Sequence, residues 1–209
     1  MTGLLMKDLL NLKRTLLGML GLMAIYGVVF SALMGDASSF LSSMLTVIFI
    51  TVTVSSFSYD ALVRWDRYAL SLPVSRRDLV ASKYLLAVVL AAVGAIAAFA
   101  MGVIMGLFHH DLVLEELGLS TVISVGGGLL IVAILLPLIF KFGVEKSRLM
   151  LIGVVLIPLG LVYLLKWLQI PLPDFSILMT QAWLAPLAGL LFLGLSYFIS
   201  VAIFQRKEL

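Results

Sequence analysis

Hydrophobic positions in this chain come in long unbroken runs rather than short alternating stretches. No charged residue interrupts Thr15 to Gly35, Ala37 to Tyr59, Tyr84 to Phe108, Leu117 to Phe140, Leu149 to Leu165 or Phe175 to Gln205. A hydrocarbon slab about 30 Å thick takes about 20 apolar residues per helical crossing. Each run therefore predicts one transmembrane helix, at about 15–35, 38–58, 80–108, 118–140, 148–166 and 183–204. The predicted fold is an all-α polytopic membrane protein with six crossings in one transmembrane domain over 1–209. An even number of crossings puts both termini on one side.

Two segments depart from that pattern. In residues 1–14, Leu5, Leu9 and Leu12 recur with Leu16 on one helical face, and Lys7, Asn11 and Arg14 on the opposite one. This predicts a separate interfacial elbow helix, its apolar side among acyl chains and its cationic side among phosphates; a plain basic flank of the first crossing is the alternative. Between the second and third crossings, residues 59–70 read as a short amphipathic helix. Asp60, Arg64 and Arg67 form a polar stripe, Tyr59, Leu62, Val63 and Leu70 an apolar one, and Trp65, Asp66 and Tyr68 lie between. Leu72-Pro73 ends that helix, and Ser75 with Asp78 three positions on makes a capping-box start for the third crossing. Arg76, Arg77, Asp78 and Lys83 then lead into the bilayer, so a partner gripping the short helix would push on a membrane helix.

Composition agrees with the class: 63% of the residues are hydrophobic and the mean hydropathy is +1.21. Of the 14 basic residues only Lys166 falls opposite the termini, and because Lys and Arg stay on the cytoplasmic side, both termini are expected there. The bacterial plasma membrane is the expected location. The net charge of +3 reflects topology, so no nucleic-acid partner is expected. The first run is of spanning length and is followed directly by more membrane sequence, which argues against a cleaved leader. With no cysteine, disulfides, thiolate catalysis and Cys-ligated metal are excluded.

Inside the crossings, Ser39, Ser43, Thr46 and Thr53 form a hydroxyl stripe that serves either helix packing or a substrate path. Gly102 and Gly106 permit close backbone approach. Gly126, Gly127, Gly128, Pro137 and Pro158 are candidate kinks or joints. His109, His110, Asp111, Glu115 and Glu116 predict a solvated loop rather than a zinc site, since adjacent residues rarely converge on one ion. The stretch 169–183 is too short for a domain, and Trp167 and Trp183 are candidate interfacial anchors.

Enzyme readings lack their parts. The chain has no G-x-x-x-x-G-K-[ST], no H-E-x-x-H and no G-x-S-x-G. No ionisable residue stands at mid-depth of a crossing, so a protease dyad or proton relay lacks its groups. The chain is expected to bind no cofactor and to catalyse nothing itself; if it moves a substrate, another chain supplies the energy.

The run Phe57-Ser58-Tyr59-Asp60, Trp65-Asp66-Arg67-Tyr68, Ser71-Leu72-Pro73-Val74-Ser75-Arg76 and Ser82-Lys83-Tyr84 resembles the signature loop of small bacterial ABC exporter permeases of the type-2 class. The leading Leu5-Met6-Lys7-Asp8-Leu9-Leu10 segment and the six crossings fit the same family, so the resemblance covers the whole chain. It implies a permease that pairs with a second copy or a related permease and with two separate ATPase subunits carrying ATP and Mg. It also implies that 59–70 is the coupling helix docked on the ATPase, that 1–14 is the elbow, and that the loop with Glu145, Lys146 and Arg148 makes a minor contact. The compact size and short outer loops resemble permeases that export amphipathic peptides such as phenol-soluble modulins. Bacteriocin or antibiotic export, immunity, and a non-transporting scaffold are the alternatives.

Overall fold

The computed structural model of the chain describes residues 2–34, 38–69, 74–109, 113–168 and 181–206. Every regular element among them is helical: α1 (Thr2–Met34), α2 (Ser38–Leu62), α3 (Trp65–Ala69), α4 (Arg76–His109), α5 (Leu114–Phe142), α6 (Val144–Trp167), a 3₁₀ turn (Ala182–Leu184) and α7 (Ala185–Gln205). Five stretches among the described residues are long and apolar enough to cross a membrane: Gly3–Gly27, Ser39–Leu62, Arg76–Leu107, Leu114–Phe142 and Ala182–Gln205. α6, 24 residues long, occupies the place expected for the fifth crossing.

The elbow is not a separate helix. Nothing in residues 2–34 breaks the backbone ladder, so α1 runs 33 residues without interruption, about 50 Å at 1.5 Å per residue. Its Leu face also points elsewhere than expected. Leu12 is fully buried with Val52, Leu86 and Leu90, and Leu5, Leu9 and Leu16 pack around them, so this face lies on α2 and α4 rather than among acyl chains. Met6, Leu10 and Leu17 are the exposed apolar residues there, and Asn11 and Arg14 are exposed beside them.

The predicted helix over 59–70 is divided. Its first residues complete α2, which continues to Leu62. The chain then turns at Val63 and Arg64, where Arg64 takes φ +51° and its N–H bonds to the Ala61 carbonyl at 3.3 Å. Only the five residues of α3 follow as helix before Leu70–Pro73, which lie outside the described residues. A left-handed residue reverses the chain without glycine at a cost of about 1–2 kcal/mol, so the single amphipathic stripe predicted across the break does not exist.

The bundle centres on α2, α4, α5 and α7, with α1 laid over α2 and α4 and α6 bordering α5 and α2. Small residues set the closest approaches. A Cβ at Gly126 would fall 2.5 Å from Ala185, one at Gly128 2.5 Å from Ile50, and one at Gly94 2.5 Å from Phe49. α5 is continuous through Gly126, Gly128 and Pro137, so these two glycines serve packing. Phe57, Phe140 and Phe204 stack edge to face at 5.2 and 5.4 Å and close the core at one end.

Candidate functional site

Four charged side chains meet beneath that aromatic cluster. Lys83, only 7% exposed, donates to Asp8 Oδ2 at 2.9 Å and Ser56 Oγ at 2.5 Å, and its ammonium lies 2.5 Å from Asp60 Oδ2. Lys7 donates to Asp60 Oδ1 at 2.7 Å and lies 3.1 Å from Asp8 Oδ1. Two ammoniums and two carboxylates thus alternate in a closed ring of zero net charge that joins α1, α2 and α4. Asp8 Oδ1 and Asp60 Oδ2 face their ammoniums off the hydrogen-bonding direction, so these two contacts are electrostatic. Asp8 lies 26 positions from the far end of α1 and Lys83 26 from the far end of α4, about 39 Å at 1.5 Å per residue. That exceeds a hydrocarbon core of about 30 Å and leaves room for the ring at the edge of the bilayer, where ion pairs are tolerated.

A cavity of about 180 Å³ adjoins the ring, bounded by Leu4, Trp65, Ile139, Phe140, Val144 and Phe204 besides the charged residues. Every helix from α1 to α7 contributes to its wall. Trp65 of α3 forms its outer edge, with the Lys7 ammonium 4.1 Å from the indole centroid and the Tyr68 ring 5.4 Å away. Beyond it lies an exposed rim: Leu62 is 80% exposed, Val63 69% and Tyr68 59%, with Arg64 also exposed. Tyr59 pairs with Thr15 of α1 at 3.2 Å. A shallow hollow lined by Asn11, Tyr59, Leu62, Val63 and Trp65 runs beside this rim.

The predicted residues thus divide into those turned outward and those turned in. Leu62, Arg64 and Tyr68 face out, Asp60 is buried in the ring and Trp65 is half buried; the side chains of Asp66 and Arg67 lie outside the described residues. At the start of α4, Ser75 and Asp78 cap each other. Ser75 N–H and Oγ donate to Asp78 Oδ2 at 3.2 and 2.6 Å, and Asp78 N–H donates to Ser75 Oγ at 3.1 Å. Arg76 donates to the Phe204 and Gln205 carbonyls at 3.1 and 2.9 Å, a cation on the carbonyl end of α7. Arg77 is exposed. Lys83, expected as part of a basic lead-in, is the ring's centre. The loop expected at 141–148 shrinks to Gly143, whose N–H caps Ile139; Glu145 and Lys146 are exposed on the first turn of α6, and the Arg148 side chain lies outside the described residues.

Of the hydroxyl stripe, Thr46 and Thr53 are fully buried and Ser39 and Ser43 half buried. Thr46 bonds back to the Ser42 carbonyl at 2.9 Å. Ser42, one position off the predicted stripe, makes the link between helices, to the Ala98 carbonyl at 3.0 Å. A second polar chain went unread. Ser196 Oγ gives its one proton to the Ala133 carbonyl, so Tyr84 must donate to Ser196 at 2.7 Å and Ser200 to Tyr84 at 2.6 Å, tying α4, α5 and α7. Its signal was present: two serines at i and i+4 in an otherwise apolar helix need partners in a membrane. Asp8 and Ser56 were missed too. Asp8 reads as one more flanking charge, and nothing local pairs it with a lysine 75 positions away.

At the far end, Trp167 closes α6 and Trp183 sits in the turn before α7, both indoles exposed. His110 and Asp111 lie outside the described residues, and no group of three metal-ligating side chains forms among the described ones. Comparison with curated proteins and with solved structures gave no match. A family model described as ABC-2 family transporter protein matches residues 3–205. It spans nearly the whole bundle, from the first turn of α1 to the last residue of α7. This membrane protein therefore belongs to the ABC-2 family of transporter permeases.

Proposed function

We propose that the chain is the membrane-spanning half of an ATP-driven exporter. Separate ABC ATPase subunits hydrolyse ATP with Mg, and a second copy or a related permease completes the path. With α6 as the fifth of six crossings, both termini and the ring end would share one side, and the basic residues gathered there favour the cytoplasm of a bacterial cell. The observation that carries the reading is the rim at Leu62, Val63, Arg64 and Tyr68. Apolar side chains 59–80% exposed, beyond a buried charged ring and hence outside the hydrocarbon, are shielded by neither lipid nor protein and suit a partner surface. Tyr59, Asp60, Trp65, Asp66 and Arg67 support that rim. Ser75, Arg76, Arg77, Asp78 and Lys83 carry its displacement into α4, and Glu145, Lys146 and Arg148 make a second contact. Lys7, Asn11 and Arg14 hold the start of α1 at the interface. Thr46, Thr53, Ser39 and Ser43 belong to packing.

The scarcity of buried charge supports a class of cargo. Outside the ring, the buried polar residues named above are hydroxyl-bearing, and most are engaged in hydrogen bonds. A bundle with so little charge outside the ring suits an apolar or amphipathic peptide of the phenol-soluble modulin kind and offers a highly charged cargo few partners. Replacing Leu62 and Val63 with glutamate tests the docking surface. Affinity for the ATPase is expected to drop at least about tenfold, the equivalent of about 1.4 kcal/mol, with the helical circular dichroism unchanged. Binding that survives intact removes the docking assignment.

A further inference from the structure

We infer that the Lys7–Asp8–Asp60–Lys83 ring is the positioning link through which displacement of the 61–69 segment reaches three membrane helices together. The inference rests on the docking role proposed for the rim. It starts from a continuous chain of contacts. Tyr68, exposed, packs on Trp65 at 5.4 Å; the Lys7 ammonium lies 4.1 Å from the Trp65 ring; Lys7 donates to Asp60 at 2.7 Å; and Asp60 and Asp8 share Lys83. Every step after the first, which lies within α3, crosses between elements: α3 to α1, α1 to α2, and both to α4.

Packing alone would not need charge here. Burying two ion pairs forfeits hydration, and apolar side chains of similar volume serve stability as well or better. What a ring of alternating charges adds is direction: each ammonium is held by two carboxylates on different helices, so shifting one helix strains its contacts to the other two. The neighbouring cavity of about 180 Å³ gives these side chains room to move without breaking the aromatic core above them. The 61–64 turn itself is exposed and tied down mainly through Trp65 and Asp60. Without the ring, the rim could still hold an ATPase, but its movement would reach α2 and α4 separately along the backbone, with no charged tie holding them and α1 in step.

The test separates holding from coupling. In the double variant Asp8→Asn with Lys83→Met, Lys7 and Asp60 still neutralise one another, so no net charge is left buried and the tie behind the rim is kept. Reconstituted with its ATPase, this variant is expected to bind the ATPase within about twofold of wild type, to melt within a few degrees of it, and to lose at least about tenfold in permease-stimulated ATP hydrolysis. Lys83→Arg keeps the charge and has the adjoining cavity for its larger head, and it is expected to retain at least half of the stimulation. If the double variant stimulates hydrolysis as wild type does, the ring is structural and the inference fails while the docking role stands. If the wild-type chain neither binds nor stimulates the ATPase, the docking role fails and the inference with it.

Discussion

Gly143 is the residue on which the junction of α5 and α6 depends. Its φ of +82° with ψ 173° lies in a region that side chains with a Cβ avoid, and no atom stands within 4 Å of where that Cβ would be. A Gly143→Ala variant therefore isolates backbone strain from crowding. It is expected to lose about 1–3 kcal/mol, read as a lower melting temperature in detergent; an unchanged melting curve would show that the junction tolerates other conformations. The Ser75–Asp78 cap gives a second expectation at this scale. Ser75→Ala removes the acceptor of the Asp78 N–H and is expected to cost about 1 kcal/mol, seen as faster amide exchange at Asp78 with the rest of α4 unaffected. This cap was legible from two residues three positions apart, because capping is local chemistry.

Among the elements, the positions of the long helices were legible because hydrocarbon imposes one requirement on every crossing, and unbroken apolar runs reveal it directly. The ends were not. The amphipathic pattern of 1–14 is real, but Leu12 buries against Val52, Leu86 and Leu90 while Lys7 turns inward to Asp60, so a face that suits lipid is used for protein. The helix read over 59–70 failed at Arg64, where a positive φ left no mark in the sequence. The three consecutive glycines of α5, Gly126 to Gly128, divide the same way. Gly126 and Gly128 lie against Ala185 and Ile50, whereas Gly127 meets nothing within 4 Å. Gly126→Ala is expected to separate α5 from α7 and destabilise by about 1–3 kcal/mol. Gly127→Ala is expected to stabilise by about 0.5–1 kcal/mol through helix propensity. Thermal unfolding of the pair checks both; equal losses would instead point to a joint that needs flexibility at both positions.

For the molecule as a whole, the candidate site was half legible. The rim announced itself as charge and aromatics in an apolar chain, but the ring beneath it did not, because Asp8, Asp60 and Lys83 come together only when α1, α2 and α4 pack. The proposed role is that this bundle moves cargo only when an ATPase works on the rim. The direct measurement is ATP-dependent uptake of a dye-labelled amphipathic helical peptide into inverted vesicles carrying the chain and its ATPase. Uptake is expected to require both proteins and hydrolysable ATP, and to be lost when Leu62 and Val63 are replaced by glutamate. Uptake that persists without the ATPase, or that is indifferent to the two glutamates, would mean that no ATPase drives the bundle through this rim.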